Sequence, residues 1–175
     1  MKKLFITAIL FLGFAFSAQS QNISKNALGL RLGDNDGFGG ELSYQRKLSE
    51  KNRLELDLGW RNRNNYYNGY GDNNAIKLTG LYQWVWNIDG DFNWYAGLGG
   101  GLANNSYRYD YKFDGVRYYA EDSYTYGFLA GDIGIEYDFD IPLLISLDFR
   151  PEFYLNDKVD RSYGSDIALG IRYQF

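Results

Sequence analysis

Cysteine and histidine are both missing from these 175 residues. Without cysteine the fold has no disulfides, no thiolate nucleophile and no thiolate metal site. Without histidine it lacks the usual general base and the commonest metal ligand. Proline is scarce, at 2, and the formal net charge is a mild −4, which argues against a nucleic-acid partner. The one long apolar run covers residues 4–16, too short for the ~20 residues with which a helix crosses ~30 Å of hydrocarbon. Lys2 and Lys3 precede that run and Ala18-Gln19-Ser20 follow it. It therefore reads as a secretory signal peptide over residues 1–20, leaving residues 21–175 as a single domain.

Glycine and aromatic residues are plentiful instead, at 21 residues and 19% of the chain. Strand-forming aromatics with abundant glycine and almost no proline predict an all-β fold. The clearest strand is the last. Ile167, Leu169, Ile171, Tyr173 and Phe175 alternate with Asp166, Ala168, Gly170, Arg172 and Gln174. Successive strand side chains point to opposite faces, so this segment has one apolar and one polar wall. The same pattern recurs near residues 25–33, 38–48, 53–61, 75–87, 93–103, 129–139 and 145–153, which makes eight strands in all. Leu81 and Val85 interrupt the polar face of the fourth, and Pro151 predicts a bulge or strand end in the seventh. Short turns at Ser49-Glu50-Lys51-Asn52, Ile88-Asp89-Gly90-Asp91 and Asp140-Ile141-Pro142 alternate with longer polar links near residues 62–74, 104–123 and 155–165. Gly33-Asp34-Asn35-Asp36-Gly37 reads as a tight turn, and no metal site is predicted there.

Volume decides which face is inside. The interior of an eight-stranded barrel is barely wide enough for its own side chains. Trp60, Trp84, Trp86, Trp94, Phe149, Phe153 and Tyr173 do not all fit there, whereas the glycine-rich opposite face does. The expected architecture is an eight-stranded antiparallel up-and-down transmembrane barrel with its apolar wall toward lipid. Trp84, Trp86, Trp94, Tyr137, Phe139, Tyr173 and Phe175 fall near the short turns, and Trp60 and Phe153 near the opposite ends. These are expected as aromatic girdles at the two membrane interfaces.

The final strand, with Gly170, Tyr173 and terminal Phe175, resembles the C-terminal insertion signal of bacterial outer-membrane barrels. Ala168 departs from that pattern, which usually has a polar residue there. In length and architecture the chain resembles small outer-membrane barrels of the OmpA/OmpX type and is similar to short porin-family barrels of Bacteroidetes. The resemblance implies a bacterial outer-membrane location and contact with lipid and lipopolysaccharide. It also implies help from the barrel-assembly machinery during insertion. Small-barrel enzymes that edit lipid A share this architecture but rely on a catalytic histidine, so no enzymatic activity and no cofactor are expected.

Function is therefore sought in the lumen and the links. Inward positions hold Arg31, Arg53, Arg61, Lys77, Arg150 and Arg172 together with Glu41, Glu55, Asp57, Asp132, Glu136, Asp148 and Glu152. Buried ions must be paired and hydrogen-bonded, so these residues are expected to form a network that fills the lumen. The longer links are dense in tyrosine, with Tyr66, Tyr67 and Tyr70 in one and Tyr107, Tyr109, Tyr111, Tyr118 and Tyr119 in another. Tyrosine offers large amphipathic contact area at low entropic cost. The expected role of the monomer is structural or adhesive, through a glycan or protein ligand at these links. A narrow channel through the charged lumen and a soluble lipocalin-like barrel for a small apolar ligand are the alternatives.

Overall fold

The computed structural model describes residues 23–33, 39–65, 70–113, 116–155 and 162–175. The signal-peptide segment lies outside them, as do the centre of the Gly33–Gly37 turn, Tyr66 and Tyr67. Eight strands follow one another: β1 (Asn26–Gly33), β2 (Gly40–Lys47), β3 (Asn52–Asn65), β4 (Tyr70–Asp89), β5 (Phe92–Phe113), β6 (Val116–Asp138), β7 (Leu143–Tyr154) and β8 (Tyr163–Gln174). Each pairs antiparallel with its sequence neighbour, and β1 pairs with β8 to close the barrel. The closing seam runs from Ala27 opposite Gln174 to Gly33 opposite Ala168.

The side-chain alternation is reversed relative to a water-soluble domain. Leu30, Leu58, Leu78, Leu98, Ile133 and Ile171 face outward and are exposed, while Arg31, Arg53, Arg150 and Arg172 are buried inside. That placement excludes an apolar cavity along the barrel axis as in a lipocalin, because polar and charged groups line the interior there.

Strand lengths differ from the sequence reading at one end of the barrel. The links near residues 62–74 and 104–123 are mostly ladder: β3 pairs with β4 out to Asn65 opposite Gly71. β4 pairs with β5 out to Tyr70 opposite Asp110, and β5 with β6 out to Phe113 opposite Val116. Asn, Tyr and Asp occupy both faces there, so no hydrophobic period marks these residues as strand. The result is a stepped four-stranded flange at this hairpin end. The opposite turn end holds the three short turns and both termini of the ladder.

Pro151 produces neither a bulge nor a strand end. β7 runs on to Tyr154 in unchanged register, and only the ladder to β6 lapses, between Ala130–Glu152 and Ile133–Phe149. Gly131 accepts the proline ring at that gap, where an added Cβ would lie 3.2 Å from Pro151 Cγ. An irregularity does occur at the end of β4, between Asn87 and Asp89, and Gly90 in the turn that follows takes a φ of 52°.

Candidate functional site

Odd-numbered positions of β1–β5 and even-numbered positions of β6–β8 point into the lumen, and ions of both signs meet there. Arg150 is the hub, 2.8 Å from Glu55, 2.9 Å from Asp57 and 3.5 Å from Glu41. Arg31 reaches Glu41 at 3.0 Å and Asp166 at 2.5 Å, and its Nε donates to Asp148 at 3.0 Å. Arg172 lies 3.3 Å from Glu55 and donates to the hydroxyls of Ser43 and Ser146 at 2.9 and 2.8 Å. Lys77 pairs with Glu152, 3.8 Å from Glu41 and above the ring of Phe128. Nearer the turn end, Arg53 is held by Glu136 at 2.7 Å and Gln83 at 2.6 Å, with the Tyr95 ring against its guanidinium. Asp132 accepts a hydrogen bond from Gln83. Arg61 is only half-buried, at the hairpin side of the network.

Glycines make this crowding possible. An added Cβ at Gly170 would lie 2.3 Å from both Arg172 Nη1 and Ser146 Oγ, so in this fold Gly170 makes room for the guanidinium. At Gly134 it would lie 2.5 Å from Tyr95, and at Gly101 2.7 Å from the Phe128 ring. Toward the hairpin end the lumen turns apolar, with Leu81, Ala103, Tyr126, Phe128 and Ala130 packed together under Tyr124 and Tyr154. Leu81 and Val85, which break the polar alternation of β4, are thus lumen filling, each 0% exposed.

Two aromatic groups ring the outside. At the turn end Trp86 stacks on Trp94 at 4.3 Å, Tyr82 meets Trp84 at 4.9 Å, and Tyr137 lies between Phe92 and Phe139. Tyr173 stacks on Phe175 at 6.3 Å. At the hairpin end Phe153 packs against Tyr163, and Trp60 is exposed.

Of the tyrosines assigned to the links, Tyr107 is described in full. Its ring stacks on Tyr124 at 6.0 Å, and Tyr126 and Tyr154 continue the row at 6.0 and 5.5 Å. Tyr70, Tyr109, Tyr111, Tyr118 and Tyr119 are ladder positions rather than loop residues: Tyr70 pairs with Asp110, Tyr109 with Ala120 and Tyr111 with Tyr118. Their side chains lie outside the described part of the molecule.

The sequence reading omits Asp166 from the lumen set, although it shares the parity of Gly170 and Arg172. Parity also marks Ser43, Gln45, Gln83 and Ser146, all buried beside the ions. No group of carboxylates among the described residues is arranged to hold a metal ion. The buried arginines and Lys77 thus take their counter-ions from within the lumen itself.

No protein-family model matches the chain, and no curated protein matches it. Solved structures do. The fold is that of small bacterial outer-membrane barrels. A major outer membrane protein from Thermus thermophilus superposes with a TM-score of 0.59 at 15% identity, over 88% of this chain and all of that one (100%). Neisserial surface protein A gives 0.54 at 14% identity, covering 86% of this chain and 94% of the other. Ail, the attachment invasion locus protein of Yersinia pestis, gives 0.52 at 18% identity over 87% and 97%. At these identities the likeness concerns shape alone.

Proposed function

We propose that this protein is a non-enzymatic barrel of the bacterial outer membrane that presents the β3–β6 flange as a binding surface outside the cell. The observation that carries the reading is the inverted alternation: four arginines buried in the lumen and a continuous belt of exposed Leu, Ile and aromatic side chains around it. In water such a belt would drive aggregation, and in lipid it is the required surface. Short turns on the periplasmic side put both ladder termini there and the flange outside, the usual arrangement of these barrels. Trp60 and Phe153 then sit at one interface, and Trp84, Trp86, Trp94, Tyr137, Phe139 and Tyr173 at the other. Residues 1–20 direct export, the terminal strand with Gly170, Tyr173 and Phe175 engages the assembly machinery, and lipopolysaccharide surrounds the outer rim.

The lumen in this reading is a structural filling and not a conduit. Its buried cations pair with carboxylates at contact distance and the apolar cluster around Phe128 caps them. The first test is gel mobility of the outer-membrane fraction, boiled against unboiled. Closed barrels resist detergent until heated because every strand edge in the membrane is paired. A band that shifts on boiling is expected, and protein found only in soluble fractions would overturn the membrane reading. Steady single-barrel conductance in a planar bilayer would overturn the sealed lumen. The binding surface is tested by replacing residues 107–119 with a Gly/Ser linker in a barrel that still inserts. Loss of cell attachment is expected, and unchanged attachment would count against the flange.

A further inference from the structure

Within the barrel both edges of β6 are used, by β5 and β7. Among the described residues the ladder to β7 ends with Phe128 opposite Tyr154 and a bond from Leu155 N–H to the Gly127 carbonyl. β6 itself begins far beyond that point, at Val116, so residues 116–123 have β5 on one side and no described strand on the other. This open edge is on the order of 27 Å long at ~3.4 Å per residue. Backbone polarity along it is set. Gly127 directs its carbonyl toward β7, and Asp138 directs its N–H toward β5 by bonding the Asp91 carbonyl. Odd positions therefore aim their N–H and C=O away from β5, which leaves Arg117, Tyr119, Glu121 and Ser123 presenting backbone donors and acceptors at the open edge. Such an edge is a template for another strand.

Charge along the register says which strand. Asp72 of β4 stands opposite Arg108 of β5, and Arg108 opposite Glu121 of β6, where the two side chains form an exposed ion pair at 2.5 Å. This row of alternating sign ends at the open edge on a carboxylate. Four residues earlier, Lys112 stands opposite Arg117, so a second row ends on a cation beside a cation. An incoming strand that places a cation at Glu121 and a carboxylate at Arg117 completes both rows. The β6 edge of a second copy does so when it runs antiparallel, with Tyr119 opposite Tyr119: each Arg117 then faces the other molecule's Glu121. All these positions are odd, so they form hydrogen-bonded pairs.

We propose that β6 edges of two copies pair in this register, and that the copies stand in facing membranes. Barrels in one membrane share a strand direction, whereas antiparallel pairing about a two-fold axis through Tyr119 requires one molecule to be inverted. Opposed membranes supply that inversion, so the contact joins vesicle to vesicle or cell to cell. The inference rests on the membrane reading above and deepens it by naming the partner of the flange.

The test uses the full-length protein folded into neutral phosphatidylcholine vesicles, with clustering followed by light scattering. Wild-type vesicles are expected to cluster, and the protein-free control is not. Tyr119→Pro and Glu121→Pro each remove an N–H from the open side without taking a bond from the β5 ladder. Both are expected to bring clustering to background while the boiling shift persists. Arg117→Glu vesicles and Glu121→Arg vesicles are each expected to stay dispersed alone, through like-charge contacts. Mixed together they are expected to cluster, because every cross-pair is then opposite in sign. Wild-type vesicles that stay dispersed while the boiling shift proves a folded barrel would overturn the pairing. So would clustering that survives either proline, or a mixture of the two charge variants that fails to cluster. Attachment of foreign proteins or cells to such dispersed vesicles would leave the surface-binding reading standing without it.

Discussion

The outward-apolar barrel wall and the flange are one continuous set of antiparallel ladders, yet they obey different rules. In the barrel wall every residue has an assigned side: Leu58 faces outward, and its neighbours Asp57 and Gly59 face the lumen. In the flange Asn, Tyr and Asp recur without period. Two ion pairs carry the contrast. Arg150 and Asp57 lie 2.9 Å apart with both side chains 0% exposed. Arg108 and Glu121 are closer, at 2.5 Å, but 60% and 63% exposed. The exposed pair is screened and holds two long side chains at an entropic cost. In the buried pair, removing one partner strands the other charge without water. Contact distance alone says little about what an ion pair contributes.

Substitutions test that contrast through stability of the folded barrel, read as the urea midpoint of the unboiled gel band in vesicles. Arg150→Leu leaves Glu55, Asp57 and Glu41 without their shared cation, and a loss of about 3–5 kcal/mol is expected. A loss under about 1 kcal/mol would mean that water enters the lumen freely. Leu30→Arg, on the outer wall, is expected to cost about 2–4 kcal/mol if that position lies near the bilayer midplane. No cost there would place the apolar belt in some other environment. Gly101→Ala puts a methyl group against the Leu78 carbonyl and the Phe128 ring. Overpacking of this kind is expected to cost about 1–3 kcal/mol. Arg108→Ala completes the series, with an expected loss under about 1 kcal/mol that vanishes in high salt. Equal losses for Arg108→Ala and Arg150→Leu would erase the distinction between the two regions.

The same contrast explains what is legible in the sequence. Eight strands, their inward and outward faces and the three short turns follow from a period of 2 in residues such as Leu54, Leu56, Leu58 and Trp60. Crowding by Trp and Phe tells inside from outside. Where no apolar outer wall imposes the period, the pattern gives no strand signal: residues 104–113 and 116–123 look like a loop and are strand. Leu81 and Val85 look like flaws only against a uniformly polar inner face, whereas Leu81 belongs to an apolar cap over the ions and Val85 fills the lumen nearer the turn end. Asp166 carries no mark beyond its parity on β8, and its partner Arg31 is 135 residues away. Pro151 announces a disruption but gives no hint that Gly131 on the adjacent strand absorbs it.

The order of the strands carries a kinetic consequence. Seven of the eight ladders join strands that are consecutive in the chain, and these zip as local hairpins. The β1–β8 seam alone joins distant segments, as in the bond from Asn26 to Phe175, 149 positions apart. Arg31 on one side of it binds Asp166 on the other and Asp148 one strand beyond. These contacts form only as the cylinder shuts, so the central ions keep their hydration until the final event. Closing the sheet and drying its interior are therefore one and the same event in this topology.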